Sequence, residues 1–171
     1  MKKLAVVFAS FLLVAAFSTA SYAVVNNGPN ASADASARII TPLEINKVQD
    51  LLFGNIAAGP TAGTVVIATD DNRTHTGGVT LISAGNTSHA AEFGITGYPD
   101  ASFTIDIPTS IKLEFGANEM DVDNFESSLG AASSLDEQGE ANLKVGATLN
   151  VEANQEAGLY QGSFEVTVAY N

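Results

Sequence analysis

LKVGATLNV, residues 143–151, decides the fold. Leu143, Val145, Ala147, Leu149 and Val151 take every second position, and Lys144, Thr148 and Asn150 stand between them. Successive side chains leave an extended backbone on opposite sides, so this period of two describes a β-strand with one buried and one wet face. A helix would scatter the same five residues around its axis. The alternation recurs upstream at Ile111, Leu113 and Phe115, separated by Lys112 and Glu114. It recurs downstream at Phe164, Val166, Val168 and Tyr170, so 159–170 is expected to close the chain as one long strand.

Farther out, Leu43 with Ile45, the β-branched run 64–69, 79–82, Phe93 with Ile95, and Phe103 with Ile105 and Ile107 read as further strands. Residues 51–56 form a short apolar run carrying Gly54, and Met120 with Val122 form another. Gly59, Pro60 and Gly63 predict a turn over 57–63, and the polar stretch 70–78, ending in Gly77-Gly78, predicts a loop. Turns are also expected at Gly85-Asn86, Gly97, Pro99-Asp100 and 116–118, and a long loop over 127–140. Strands at this spacing, with no long helical pattern, predict an all-β sandwich, a closed barrel being the alternative.

The N-terminus reads as an export signal, residues 1–23. Lys2 and Lys3 precede an apolar run over 4–17, and Ser21 and Ala23 occupy the −3 and −1 positions of a cleavage site; cleavage after Ala20 is the alternative. The run is short for a bilayer span, which needs roughly 20 residues. No later segment could cross a membrane as a helix, so no transmembrane segment is expected once the signal is removed. Residues 24–40 are expected to be an N-terminal extension or first strand, and 41–171 the sandwich domain. The chain carries 7 basic and 19 acidic residues and no cysteine. Such an acidic surface repels nucleic acid. An exported chain without disulfides must draw its stability from its core and its strand pairing.

Little in the sequence points to catalysis, and no enzyme activity and no cofactor are expected. The two histidines, His75 and His89, fall in predicted polar loops, and no Gly-x-Ser-x-Gly elbow is present. Asp121, Asp123 and Glu126 are the most ligand-like acidic group, because Asp121 and Asp123 share a face in a strand and calcium takes several carboxylate oxygens. Asp70, Asp71 and Asn72 form a second such group. Both read more simply as solvated positions. Tyr98 and Tyr160 are candidate sugar platforms or rim residues.

The ends of the chain are more informative. Gly158 lies fourteenth from the C-terminus and Tyr170 is penultimate, with Phe164, Val166 and Val168 alternating between them. This resembles the C-terminal strand of pilus subunits secreted by the chaperone–usher route. The resemblance implies an immunoglobulin-like sandwich lacking its last strand, with Gly158, Phe164, Val166, Val168 and Tyr170 on a strand that contacts a periplasmic chaperone or the next subunit. The usual pilin disulfide is missing here. At the other end Ala31, Ala33, Ala35, Ala37 and Ile39 alternate with polar residues. They fit either a donor strand that completes a neighbouring subunit or the first strand of a complete sandwich.

A broader resemblance, from Ala35 to the end, is to an uncharacterised family of secreted bacterial domains of unknown function. It rests on the alternating Ala-rich start, Arg38-Ile39-Ile40-Thr41-Pro42-Leu43, Leu52-Phe53-Gly54, Ala57-Ala58-Gly59, Gly77-Gly78-Val79, Val145-Gly146-Ala147-Thr148-Leu149 and 157–164. It implies one β domain and brings no catalytic residues. The expectation is therefore an exported subunit of a fimbria-like surface polymer whose partners are identical subunits and a chaperone. It would pass through the periplasm to the cell surface. The alternative is a monomeric secreted module binding glycan, matrix or, with calcium, another surface.

Overall fold

A computed structural model of the protein describes residues 28–85 and 87–171. The chain divides into two units, Met1–Ala37 and Arg38–Asn171. The expected signal segment, 1–23, lies outside the described residues. In the first unit, residues 28–37 are exposed and lie outside any strand. The strand expected over 31–40 is thus not formed within this chain.

The second unit holds ten strands: β1 (Glu44–Gln49), β2 (Asn55–Ile67), β3 (Arg73–Ile82), β4 (Ala91–Thr96), β5 (Ser102–Asp106), β6 (Ser110–Phe115), β7 (Asn118–Ser127), β8 (Ala132–Ser134), β9 (Glu140–Val151) and β10 (Thr167–Tyr170). Every ladder is antiparallel, and there is no helix among the described residues. One sheet has seven strands, β1-β4-β9-β2-β3 with β7 and β6 joined through β9. The other has three, in the order β10-β5-β8. The fold is the expected all-β sandwich, and the barrel alternative is discarded.

Strand β9, which contains 143–151, is the spine. Its first half pairs with β4, from Glu140 to Val145, and its second half with β2, from Ala147 to Val151. Val145 and Leu149 each also pair with β7, so β4 and β2 follow one another along one edge while β7 holds the opposite edge. The alternating residues behave as the pattern demands: Leu143, Val145, Ala147, Leu149 and Val151 are all buried. Leu143 and Val145 enter a core with Ile95, Phe103 and Leu135. Ala147, Leu149 and Val151 enter a second core with Val65, Ile67 and Val122. Each large side chain buried in this way contributes about 1.5–3 kcal/mol.

Besides the loop expected over 127–140, which holds the short strand β8 because Ala132–Ser134 pair with β5, three segments depart from the expectation. Residues 57–63 are not a turn but the middle of β2, where the register shifts between Ala58 and Gly63. Four residues of β2, 59–62, bulge opposite Gly78, and Pro60 sits in the bulge, where no ladder donor is needed. Gly77 adopts φ 68° there, and a Cβ on it would meet the Ala62 carbonyl. The second departure follows: 73–78, read as loop, belong to β3, so His75 is an exposed strand residue. Third, the closing strand is only Thr167–Tyr170 rather than 159–170.

Tyr170 explains its place at the end of β10. Its hydroxyl accepts from the Tyr98 amide at 2.7 Å and donates to the Thr41 carbonyl at 3.0 Å. It thereby ties the last strand to the lead-in of β1 and to the β4–β5 turn. Gly97 makes room for this hydroxyl, since a Cβ there would collide with it.

Candidate functional site

An apolar groove of about 960 Å³ opens in the second unit. One wall is 47–58, the end of β1 and the start of β2. The facing wall is 155–164, the lead-in to β10. Ile111 and Leu113 of β6, Met120 and Val122 of β7, and Leu149 and Val151 of β9 line its floor.

The sequence builds each wall in a distinct way. On the C-terminal wall, glycines permit close approach to β6. A Cβ on Gly158 would enter the Phe115 ring, and one on Gly162 would meet the Lys112 carbonyl. Gln161 exchanges backbone hydrogen bonds with Glu114, at 2.8 and 3.1 Å. Phe164 closes one end, its ring 6.2 Å from that of Phe93 and 5.0 Å from that of Phe125. At the other end the Tyr160 ring packs at 5.6 Å from Phe115, and its hydroxyl donates to the Glu156 carbonyl at 3.0 Å.

The opposite wall is pinned from outside. Leu52 exchanges backbone bonds with His89 at 2.9 and 3.0 Å, and Phe53 is buried beneath. The next amide, Ala90, donates to Asp71 Oδ1 at 2.9 Å, and Lys144 Nζ donates to Asp71 Oδ2 at 2.6 Å. The Lys144 ammonium, followed by the Ala90 amide, holds the Asp71 carboxyl below its ordinary value, and Asp71 raises Lys144 in return. Asp71 sits at φ 67°, a conformation that Asp and Asn tolerate.

A pH dependence follows from this ion pair. A carboxylate whose folded pKa is depressed adds stability fully above its unfolded value, about 3.9, and loses it as pH falls through the lower folded value. Both side chains are about one-third exposed, so solvent screening keeps the pair's contribution small. Asp71→Asn, which keeps the backbone conformation and an acceptor for Ala90, should lower the urea midpoint slightly between pH 5 and 7. The difference from the parent chain should vanish at strongly acidic pH. A cost unchanged by acid would contradict the assignment.

Among the described residues, β1 pairs with β4 alone, and 159–164 makes backbone bonds only through Gln161. Both segments line the apolar trough, β1 with a single partner strand and 159–164 with a single bonded residue. Of the C-terminal residues singled out in sequence, Gly158 and Phe164 line this trough. Val166 is buried in the core with Phe103, Val168 packs against that core, and Tyr170 forms the clamp described above. Ala31, Ala33, Ala35, Ala37 and Ile39 are all exposed, Ile39 to 98%.

The acidic candidates are dispersed. Asp121 lies 3.3 Å from Lys112, which also pairs with Glu119; Asp123 accepts from its neighbour Asn124 at 2.8 Å, and Glu126 is exposed. The hydrogen bonds that Lys112 donates to Glu119 and then to Asp121 raise its pKa. No group of three or more histidine and carboxylate side chains suited to a metal ion occurs among the described residues. His75 and His89 lie on different elements, and Tyr98 accepts from Arg38 at 3.0 Å. No helix among the described residues is long and apolar enough to cross a membrane.

Sequence reasoning missed the groove wall 47–58 and its prop, Asp71. The apolar run 51–56 beside Gly54 was the available signal, but nothing local in it tells a wall from a strand.

No curated protein and no solved structure matches the chain. Residues 43–170 match the model of a family described as a domain of unknown function (DUF4402), and the chain belongs to that family.

Proposed function

We propose that the protein is an exported structural subunit of a fimbria-like surface polymer, assembled by β-strand donation. The groove carries this reading: it is an apolar trough lined by the end of β1, which has one partner strand, and by 159–164, which makes backbone bonds only through Gln161. Open strand edges recruit further strands, and an extended segment with apolar residues at every second position satisfies backbone and floor together. The exposed segment with Ala31, Ala33, Ala35, Ala37 and Ile39 has that pattern, and small side chains suit a shallow floor. On this reading the domain is an immunoglobulin-like sandwich missing one strand, and the donor enters in trans. A periplasmic chaperone would cover the same groove before assembly.

A second reading has one observation in its favour. A groove of about 960 Å³ falls in the size range of small-ligand sites, which run to roughly 1,000 Å³. The chain would then be a monomeric secreted binding module. Size distributions in periplasmic extracts separate the two. Ladders or fibres from the full chain that disappear when 24–40 are deleted support strand donation. A full chain that stays monomeric favours the binding module.

A further inference from the structure

Charge is spread unevenly along the chain. Of the 19 acidic residues, only Asp70 and Asp71 fall within 51–91, and Arg73 is the one lysine or arginine there. Those three sit together, at the β2–β3 turn and the first residue of β3. Asp71 is matched by Lys144, and Arg73 donates to the Asn55 carbonyl at 2.6 Å. The remainder of the hairpin carries no lysine, arginine or carboxylate. Its outer strand, β3, is also an edge. Among the described residues β3 pairs with β2 alone, so its other side holds unpaired amides and carbonyls. The large sheet ends elsewhere at β1 and β6, six residues each against ten in β3. β1 carries Glu44 and Lys47, and β6 carries Lys112 and Glu114. Charges of this kind keep sheet edges from joining. From Thr74 to Ile82 there is neither such a charge nor a proline, and Thr74, His75, Thr76, Thr80 and Ile82 are exposed. In the smaller sheet the outer strands β8 and β10 have only three and four residues.

We propose that β3 is a contact between two copies of this chain, edge to edge and antiparallel, which continues the large sheet of one copy into that of the other. A second copy fits this edge for two reasons. Two identical strands laid antiparallel are related by a two-fold axis, so each gives the other the donors and acceptors that it lacks. A chain with 7 basic and 19 acidic residues also repels its own copies, and the edge of β3 is the long strand edge where approach brings no carboxylates together. Among chains of this charge, the uncharged hairpin selects where contact is made. The contact does not rest on strand donation. It uses neither the groove nor residues 31–39, and it would join polymers side by side or pair monomeric modules.

The test uses the full exported chain carrying Ala35→Asp, the change expected to silence donation, and follows mass by sedimentation velocity over a range of concentrations. A concentration-dependent dimer is expected. Thr74→Lys with Thr80→Lys, at two exposed positions, should weaken that dimer about tenfold or more, since like charges on paired strands repel. Thr74→Glu with Thr80→Glu should do the same, and an equimolar mixture of the two variants should recover the dimer, because opposite charges across paired strands attract. A second measurement needs no added charge. The chain has no cysteine of its own, so single cysteines placed in turn along 74–82 can be bridged between copies by a short bis-maleimide. Bridging should peak at one position, nearest the two-fold axis, and should not occur from Ser110→Cys on β6. A chain monomeric at every concentration, a dimer indifferent to the charged variants, or bridging as strong from β6 as from β3 would overturn the proposal. None of these results bears on donation, which is read from the ladders of the chain with Ala35 intact.

Discussion

Ala35→Asp is expected to abolish polymer growth while leaving export and the folded domain intact. Ala35 is the central member of the alternating set Ala31, Ala33, Ala35, Ala37 and Ile39, and it is exposed. A substitution there costs the isolated domain nothing in packing. In the proposed junction the same position would face the apolar floor that includes Ile111, Leu113 and Leu149. A carboxylate pressed against that floor has no partner, and an uncompensated buried ion costs several kcal/mol. A penalty of about 4 kcal/mol weakens each junction about 1,000-fold, and a polymer multiplies the loss over every junction. Ser36→Asp puts the same charge on the opposite face and should assemble normally. Equal effects from the two substitutions, read by gel ladders and electron microscopy, would show that face alternation is irrelevant to assembly.

Phe103→Ala is expected to destabilise the domain by about 3–5 kcal/mol, the usual range for removing a fully buried aromatic ring. Phe103 is completely buried, in β5, between its neighbours β10 and β8. Its core includes Leu143 and Val145 of β9 and Val166 just before β10. The ring thus joins the three-stranded sheet to the spine of the larger one. A domain without disulfides has a total stability of only about 5–15 kcal/mol, so this substitution consumes a large share. Urea unfolding should show a much lower midpoint with an unchanged slope. A shift below about 1 kcal/mol would mean that the two sheets do not depend on this contact.

The fold was largely legible because period-two alternation speaks directly to burial. Leu143 to Val151 in β9 and Ile111 and Leu113 in β6 fell where the pattern put them, whereas Phe115, at the end of β6, is exposed. The misreading at 57–63 came from Gly59, Pro60 and Gly63, which mark a turn in isolation. Here they mark a bulge, because β3 lies opposite and Gly78 absorbs the extra residues. Tertiary pairing, which no local pattern encodes, decided between the two. The closing strand was over-extended for a different reason. Alternation states what a segment can pair with, not whether a partner is present, and 159–164 makes backbone bonds only through Gln161.

The same logic limited the site. Gly158, Phe164 and Tyr170 could be picked out by position, but their roles could not. Tyr170 turned out to clamp Thr41 and Tyr98, contacts 129 and 72 residues away in sequence. The opposite wall, at 47–58, depends on Asp71 reaching Ala90 and Lys144. Asp71 looked like one more turn carboxylate, because long-range hydrogen bonds leave no local trace.

The central claim is that the N-terminal segment of one copy lies in the groove of another, and a photo-crosslinker at Ala35 tests it most directly. A benzophenone amino acid would be placed there in one isotopically labelled chain and mixed with unlabelled chain during assembly. The adducts would then be mapped by mass spectrometry. Crosslinks between labelled and unlabelled chains are expected, concentrated in 47–58, 155–164 and the floor strands β6 and β9. Adducts confined to the labelled chain itself, or lying outside the groove, would contradict it.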